Sequence, residues 1–371
     1  MNHVRPFTRE DFSQVAALHH QVMGTTDKHP DSKVRVQDYA DYFESIYFQN
    51  PWYSEAFPSW VNEESDGRIT GFLGVRSHRM LFKGKSINVA TSSQFVVAPN
   101  SRSTGAGVQL LKTFLSGPQE LSLTDGGNNV SRKLWEGLKG TTALLYSIHW
   151  RKLLRPTLFG LAKLRERKLA SYLVGGLHPF CSTLDSMLSR KFPHHFSLEK
   201  PTTSAEPLTS EMLLNLIDDA SRQSALIPEY DTRSMLWMLD TLHSKQGWGA
   251  LRKHLITDIQ GYALGAYIYY LQPNGTCTVL LLVSNKRSGG KVLDHLFFDA
   301  WQQGAAAIAG RLEPKLMPEI SERNCTISCG QPWMMIHSYN HDLLQAIHRG
   351  DAQLSKLEGE WCMRFPKPER Q

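Results

Sequence analysis

The sequence predicts a mixed α/β fold made of two halves that repeat one order of strands and helices. Segments of alternating hydrophobicity are separated by glycine-containing turns, and apolar residues at helical spacing lie between them. The same order returns in the second half, which indicates an internal repeat. The length of 371 residues allows about two to three domains, and 41% apolar with 20% charged residues is typical of globular ones.

The first half is predicted to begin with a strand and a helix and to continue with a run of hairpin-connected strands. Asp66-Gly67 and Lys83-Gly84 are the hairpin turns. The predicted strands are 4–7, 60–63, 69–82, 87–98, 121–124 and 143–149, and the predicted helices are 9–22, 107–114 and 130–138.

The second half shows the same succession of strand, hairpin, strand, small-residue loop, helix and strand. Pro273-Asn274-Gly275 is its clearest turn. The predicted strands are 196–203, 252–257, 262–271, 276–284 and 306–312, and the predicted helices begin at 209 and span 291–301. The loop of residues 285–291, NKRSGGK, precedes the second helix.

Composition excludes several classes of protein. The five cysteines are an odd number without paired spacing, which argues against a disulfide scaffold, and no Cys/His set predicts a metal site. No 18-residue apolar run and no signal-peptide pattern are present, so we expect a soluble, cytoplasmic protein.

The net charge of +6 is concentrated between Arg151 and Pro193. The segment is predicted as an amphipathic helical connector with a solvated basic face, or as a groove for an acidic substrate or a contact with an anionic membrane surface. No nucleic-acid-binding signature accompanies the charge, so no nucleic-acid partner is expected. The sequence does not indicate an oligomeric state.

The most informative segment is a small-residue loop between a strand and a helix. Residues 95–106 read FVVAPNSRSTGA, and Arg102, Gly105 and Gly107 give the spacing R-x-x-G-x-G. A helix N-terminus carries about half a positive charge and several unpaired N–H groups, and glycines let a phosphate approach them. Because Arg102 adds a fixed charge, the loop suits a diphosphate. It lacks the endings typical of nucleoside triphosphate and dinucleotide loops.

This loop resembles the acyl-CoA loop of the GNAT superfamily of N-acetyltransferases. The order of strands and helices around it is also similar to that of the family, and the resemblance covers about residues 1–155. It implies tandem GNAT-like domains, each a mixed, largely antiparallel sheet flanked by helices. The implied divisions are a domain with the acyl-CoA site at 1–155, a basic helical linker at 156–195 and a second, degenerate domain at 196–371.

The resemblance also implies which residues contact acetyl-CoA or another acyl-CoA, with no metal and no other cofactor. The strand amides of Phe95, Val96 and Val97 would face the thioester, and the other implied contacts are Arg102, Ser103, Thr104, Gly105, Ala106, Gly107 and Asn128. The family places a tyrosine acid near the start of the next helix, but Trp135 stands there and its indole serves only as a hydrogen-bond donor.

Three further residues are candidates for proton transfer. Tyr146 could replace the missing tyrosine acid, or it could be a core aromatic. Asp125 and His149 are candidate bases, although Asp125 precedes two glycines and could form a turn, and His149 could simply be packed. Ordered water acting on a neutral amine is the alternative to an assigned base.

The stretches of residues 123–140 and 144–150 resemble GNAT proteins encoded among bacterial polysaccharide-assembly genes. This implies transfer of acetyl to a small-molecule or sugar-linked amine, such as an amino sugar. The alternatives are an aminoglycoside or polyamine acceptor, and a non-catalytic binding or scaffold protein. The aromatic residues between Tyr47 and Tyr53 suit stacking on a sugar ring or packing as a lid.

Overall fold

A computed structural model of the protein describes residues 3–23, 36–166, 183–185, 187, 198–221, 224–285 and 287–365. It divides the chain into two compact units, neither of which is continuous in sequence. The first unit comprises residues 1–147, 225–241 and 331–371, and the second comprises residues 148–224 and 242–330.

The first unit contains one mixed sheet. Its strands are β1 (His3–Pro6), β2 (Trp60–Glu63), β3 (Ile69–Phe82), β4 (Lys85–Val97), β5 (Leu121–Gly127), β6 (Thr141–Thr142), β9 (Leu226–Pro228) and β15 (Trp333–His337). They run in the order β1-β2-β3-β4-β5-β15-β6, and β9 pairs with β3. Among these strands β4 and β5 form the one parallel pair.

Helices cover both faces of this sheet. They are α1 (Phe12–Met23), α2 (Val36–Phe43), α3 (Ala106–Leu115), α4 (Asn129–Gly137) and α10 (His341–His348), with α7 (Thr232–His243) beginning in this unit. Side chains alternate across β3, so Leu73 and Val75 pack with α3, whereas Gly74 faces Tyr47 and Arg76 faces the chain near residue 357. The loop and helix after β4 therefore lie on one face, and the C-terminal chain lies on the other.

The second unit contains a sheet of similar composition. Its strands are β7 (Ile148–Leu153), β8 (Ser204–Pro207), β10 (Ala250–Thr257), β11 (Ala263–Leu271), β12 (Thr276–Ser284), β13 (Ala307–Arg311) and β14 (Thr326–Cys329). Their order is β14-β7-β13-β12-β11-β10-β8, and β12 and β13 are parallel. The helices are α5 (Pro156–Glu166), α6 (Ser210–Ser221), α8 (Gly289–Gln302) and α9 (Met317–Glu322).

The predicted fold class is confirmed: each unit holds a mostly antiparallel sheet flanked by helices. The predicted division at residues 155 and 195 assumed that each domain is a continuous segment. In the structure, each compact unit contains segments that are distant in sequence. β7 joins the second sheet beside β13, and β15 joins the first sheet beside β5. The predicted basic linker lies largely outside the described residues.

Two local predictions need correction. The strand predicted over 121–124 continues to Gly127, so Asp125 lies within β5 and not in the turn that was the alternative to its role as a base; β15 pairs with Thr124 and Gly127 on either side of it, and the register shifts between them. The expected strand over 143–149 is a short 3₁₀ helix, Leu145–Ser147, followed by β7. Within the described ranges, no helix is long and apolar enough to span a membrane.

Candidate active site

The two central strands of the first sheet separate along their length. Parallel pairing between β4 and β5 runs from Val89–Leu121 to Thr91–Leu123 and then ends. β4 continues to Val97 beside β3, while β5 continues to Gly127 beside β15. The strands therefore open a splay between the ends of β4 and β5, where backbone groups are not used by a shared ladder.

A bulge in β4 lies at this splay. Ser93 is opposite Gly74 and Val96 is opposite Phe72, so Gln94 and Phe95 together face only Leu73. Gln94 has a φ of 50°, which is uncommon for a residue other than glycine. The bulge re-aims the peptide groups at the predicted thioester-facing segment, Phe95 to Val97.

One side chain and one backbone carbonyl group hold the bulged residue. Nε2 of His19 in α1 lies 2.7 Å from Oε1 of Gln94, and Nδ1 of the same ring lies 2.9 Å from the Tyr39 hydroxyl. Nε2 of Gln94 donates to the carbonyl oxygen of Met363 at 3.3 Å. Both ends of the Gln94 amide are therefore used in hydrogen bonds, which hold the bulged residue between α1 and the chain at Met363.

The predicted diphosphate loop follows β4 directly. Pro99–Thr104 forms a 3₁₀ helix, and Gly105 takes a left-handed φ of 81° before α3 begins at Ala106. No side chain caps the N-terminus of α3, and a Cβ atom added to Gly105 would have nothing within 4 Å. The first N–H groups of α3 are therefore open to an anion.

The other predicted contacts of this loop surround the open helix start. Arg102, Ser103 and Thr104 are exposed, and Ala106 is buried. A Cβ on Gly107 would lie 3.5 Å from Phe95 and Val97, so the helix start packs against the end of β4. Asn128 uses its side chain to cap α4, accepting from the N–H groups of Val130 and Ser131 at 2.9 Å.

A C-terminal segment, residues 355–365, crosses the sheet face opposite α3. The hydroxyl of Thr91 donates to the Glu358 carbonyl at 2.9 Å, and Nη2 of Arg76 donates to the Leu357 carbonyl at 3.1 Å. At the far side of the splay, the N–H of Glu360 donates to Oδ1 of Asp125 at 2.7 Å. The segment thus connects β3, β4 and β5.

Glu360 is a site residue that the sequence prediction missed. Its side chain is 17% exposed and lies against Gly126, where a Cβ atom would clash with the carboxylate. Burial raises the pKa of Glu360 to about 7, with a further contribution from Asp125 and an opposing one from Arg364. In the sequence Glu360 lies between a glycine and a tryptophan in a segment of mixed charged and apolar residues, which no motif singles out.

Arg76 and His78 lie beneath the same face and are buried. Nε and Nη1 of Arg76 and both ring nitrogens of His78 have no hydrogen-bond partner in the described part of the chain. Burial and the nearby Arg76 hold the pKa of His78 well below its usual range, so the ring is neutral. The indole of Trp52 covers the Arg76 guanidinium at 5.3 Å.

The aromatic region after α2 packs on this face. Tyr47 is buried, and its hydroxyl lies 3.0 Å from Oγ of Ser93. Trp52 contacts the rings of Tyr230 and Trp237, while Tyr53 is 45% exposed. Most of these aromatic side chains are therefore part of the packed unit, and Tyr53, which contacts the ring of Phe48, is the exposed one.

The remaining predicted catalytic residues lie in different surroundings. The Tyr146 hydroxyl is buried, donates to the Ala352 carbonyl at 2.5 Å and accepts from the Ala352 N–H at 3.1 Å. These bonds anchor the chain at Ala352 and do not favour proton donation. His149 is part of β7 in the second unit, whereas Asp125 belongs to the splay in the first. Trp135 is buried against Phe114.

The corresponding loop of the second unit is closed. α8 begins at Gly289, and Cβ atoms added to Gly289 and Gly290 would clash with Leu316 and Arg323. Arg323 is fixed there by Asp294, whose two carboxylate oxygens accept hydrogen bonds at 2.7 and 2.9 Å. The N-terminus of α8 therefore lacks the open approach seen at α3. No group of residues suited to a metal ion was found in the described ranges.

The fold class is defined by three features in succession. These are a parallel strand pair that splays beside a bulge, a glycine loop, and a helix whose N-terminus no side chain caps. The chain has the fold of the GCN5-related N-acetyltransferases. No protein-family model and no curated protein sequence matches it.

Three solved structures illustrate the similarity. A GCN5-related N-acetyltransferase from Anabaena variabilis aligns with a TM-score of 0.57 and 12% identity, covering 92% of this chain and 73% of that one. A GCN5-related N-acetyltransferase from Kribbella flavida gives 0.54 and 12%, covering 91% and 72%. A protein of unknown function from Enterococcus faecalis, described as a probable N-acyltransferase, gives 0.55 and 11%, covering 94% and 74%. At such identities the likeness concerns the fold.

Proposed function

We propose that the chain is an acyl-CoA-dependent N-acyltransferase that moves acetyl from acetyl-CoA to an amine. The observation that carries this proposal is the coincidence of an open helix N-terminus at Gly105 with the splay between β4 and β5. A diphosphate on the first N–H groups of α3 would leave its attached chain free to enter the splay. Arg102, exposed beside the same loop, supplies a cation for the diphosphate.

The residues at the splay suit the other half of the reaction. Acetyl-CoA would supply the activated acetyl group as a thioester. Backbone N–H groups of the bulged segment, Phe95 to Val97, can donate hydrogen bonds to an oxygen that becomes negative. Because the Tyr146 hydroxyl is committed to Ala352, we expect the thiolate to leave without a tyrosine acid.

The acceptor is proposed to be a single amine, such as that of an amino sugar or a sugar-linked amine. The carboxylates of Asp125 and Glu360 near the splay can attract one ammonium group, while Arg76 and Arg364 on the same face offset their charge. Because the two arginines offset the two carboxylates, the site does not favour a polycation such as a polyamine or an aminoglycoside. The exposed ring of Tyr53 supports stacking on a sugar.

The first experiment measures acetyl-CoA binding by titration calorimetry. The wild type should bind, Gly105→Asp should bind at least tenfold more weakly because a carboxylate would face the diphosphate, and Gly105→Asn should lose less. Asn is the matched control because it tolerates a left-handed backbone and has the same size without charge. No binding by the folded wild type would overturn the proposal and favour a scaffold role.

The second experiment measures release of the coenzyme A thiol with glucosamine, spermidine and kanamycin as acceptors. Turnover with glucosamine and formation of its N-acetyl derivative would support the acceptor class. Turnover with spermidine or kanamycin alone would replace it with a polycationic one. Binding of acetyl-CoA without turnover in any of the three would contradict the amino-sugar assignment.

The proposal that the basic linker contacts an anionic membrane surface has its own test. The segment between Arg151 and Pro193 carries much of the positive charge, and such segments bind anionic lipid by electrostatic attraction. Co-sedimentation with phosphatidylserine vesicles, compared with phosphatidylcholine vesicles, should show binding that disappears at high salt. Equal sedimentation with both vesicle types would contradict it.

A further inference from the structure

Two carboxylates meet at the open end of the splay, although 235 residues separate them in sequence. Oδ1 of Asp125 accepts the N–H of Glu360 at 2.7 Å, which fixes the backbone of the C-terminal segment against β5. The Glu360 side chain then turns over Gly126, where a Cβ atom would occupy the position of its carboxylate. The Asp125 carboxylate is therefore used in a hydrogen bond to the backbone, whereas the Glu360 carboxylate lies over Gly126.

The groups around Glu360 give its carboxylate few hydrogen-bonding and ion-pair partners. Arg364 is its one ion-pair partner among the described residues, and the Nη2–Oε1 distance of 3.7 Å is longer than a hydrogen bond. On the other side lie Tyr42 and Tyr47, whose hydroxyls are buried and whose pKa values are raised, so they are neutral. Asp125 is the neighbouring group of like charge.

We propose that Glu360 is the general base that deprotonates the acceptor amine at the splay. The inference rests on the proposed function, because it assigns a role within the same site. The C-terminal segment enters on the face opposite α3, so the acyl donor and the amine would approach the splay from opposite faces. Two carboxylates lie at the splay on the acceptor face. Asp125 already accepts the N–H of Glu360, whereas Arg364 lies 3.7 Å from the Glu360 carboxylate, which is longer than a hydrogen bond.

The proposed step balances in atoms and charge. An acceptor in its ammonium form gives one proton to the Glu360 carboxylate, and Glu360 later returns that proton to water. The neutral amine forms the C–N bond to the acetyl carbon while the C–S bond breaks. The second proton lost from nitrogen ends on the coenzyme A thiol. A base that titrates near neutral pH suits this transfer, since it is ionised at pH 7.5 and still accepts a proton readily.

The kinetic test uses Glu360→Gln and records kcat/KM from pH 5.5 to 9 with the acceptor that the wild type turns over. The wild type should lose activity below about pH 7 with a slope of one proton. The variant should be slower by about 10²–10⁴-fold at pH 7.5 and should lack this limb. Glu10→Gln, an exposed glutamate in the same unit, is the matched control and should keep the wild-type profile.

Two neighbouring variants distinguish a base from a structural residue. Asp125→Asn keeps an oxygen that accepts the Glu360 N–H but removes the like charge, so the acid limb should move to lower pH. Arg364→Met removes the cation, so the limb should move to higher pH. A purely structural role would change the rate at all pH values and leave the limb in place.

A readout without turnover is the titration of the glutamate side-chain carbons by NMR in the ligand-free protein. One resonance should titrate near pH 7, disappear in Glu360→Gln and shift to lower pH in Asp125→Asn. If Glu360→Gln retains the wild-type rate and acid limb, or if Asp125→Asn alone abolishes the limb, the assignment is overturned. Failure of the wild type to bind acetyl-CoA would instead overturn the proposed function, so the two failures are distinguishable.

Discussion

Nε2 of His19 and Oε1 of Gln94 lie 2.7 Å apart, which ties helix α1 to the bulged residue of β4. The contact joins residues 75 positions apart in sequence and is one of two bonds that fix the Gln94 amide. The bulge sets the direction of the peptide groups from Phe95 to Val97. His19 is therefore a positioning residue for the proposed oxyanion site.

Removal of the His19 ring should loosen this site. We expect His19→Ala to lower kcat about tenfold, because the bulge donors would lose their alignment, and to reduce stability by about 1–3 kcal/mol. The checks are a thermal melt and a steady-state assay. His20→Ala is the matched control, since His20 is the exposed next residue on the same helix. Equal kcat values for the two variants would contradict the positioning role.

Tyr146→Phe should affect stability more than rate. The hydroxyl both donates to and accepts from Ala352, and the substitution leaves two buried backbone groups without it. We expect a loss of about 1–3 kcal/mol in the free energy of unfolding and a change in kcat of less than about fivefold. Denaturant unfolding and the thiol-release assay measure the two effects. A rate loss of about 10²-fold or more would restore Tyr146 as a candidate acid.

Gly126→Ala should displace Glu360. The added methyl group would occupy the position of the Glu360 carboxylate, so the Glu360 side chain has to turn away from Gly126. We expect a loss of roughly 2 kcal/mol in stability and a fall in kcat/KM of at least tenfold. Gly137→Ala is the control, because nothing lies within 4 Å of its added Cβ and alanine favours the end of helix α4. A wild-type rate in Gly126→Ala would show that the segment does not need this contact.

One acetyl-CoA should bind per chain. The N-terminus of α3 is open at Gly105, whereas Leu316 and Arg323 cover the corresponding start of α8. Titration calorimetry should give a stoichiometry of one, and Gly105→Asp should remove that site. Two equivalent sites, or a residual site of wild-type affinity in Gly105→Asp, would mean that the second loop also binds the ligand.

Glu360 should make the protein less stable as pH rises through the neutral range. Its pKa is raised to about 7 in the folded state from about 4.3 when unfolded, so the unfolded state releases its proton first. Because of the raised pKa of Glu360, the free energy of unfolding should fall by up to about 3 kcal/mol between pH 4.5 and 7. Buried His78, with a lowered pKa, acts in the opposite direction below about pH 6.5.

The effect of Glu360 is isolated by comparison with Glu360→Gln. Denaturant unfolding at pH 5 and pH 8 should show that the wild type loses more stability than the variant, while contributions from histidines cancel in the difference. The same pH dependence in both proteins would mean that Glu360 has an ordinary pKa in the folded state.

The strands and turns of the first sheet were largely predictable from local patterns. β2 and β3 have the predicted bounds, and Gly67 and Gly84 have positive φ angles at the predicted hairpin turns. The open helix N-terminus at Gly105 was also readable, because a glycine loop between a strand and a helix is a local signal. These features depend on residues close together in the chain.

The pairing of distant segments could not be read in this way. The alternation of side chains in β7 or β15 fits any half-buried sheet and does not say which sheet the strand joins. The two glycines after Asp125 allowed a turn as the alternative to a catalytic base, and the pairing of Thr124 and Gly127 with β15 places Asp125 within a strand. Glu360 reaches the splay through the same long-range arrangement, so no spacing rule connects it to Asp125.

The position of β15 between β5 and β6 has a consequence during synthesis of the chain. The ribosome completes β5 at Gly127 but does not complete β15 until His337. At about 5–20 residues per second, roughly 10–40 s pass between these events, and the outer edge of β5 has no strand beside it during that time. An unpaired edge is a template for intermolecular pairing. The nascent protein is thus expected to depend on chaperone protection until β15 has emerged.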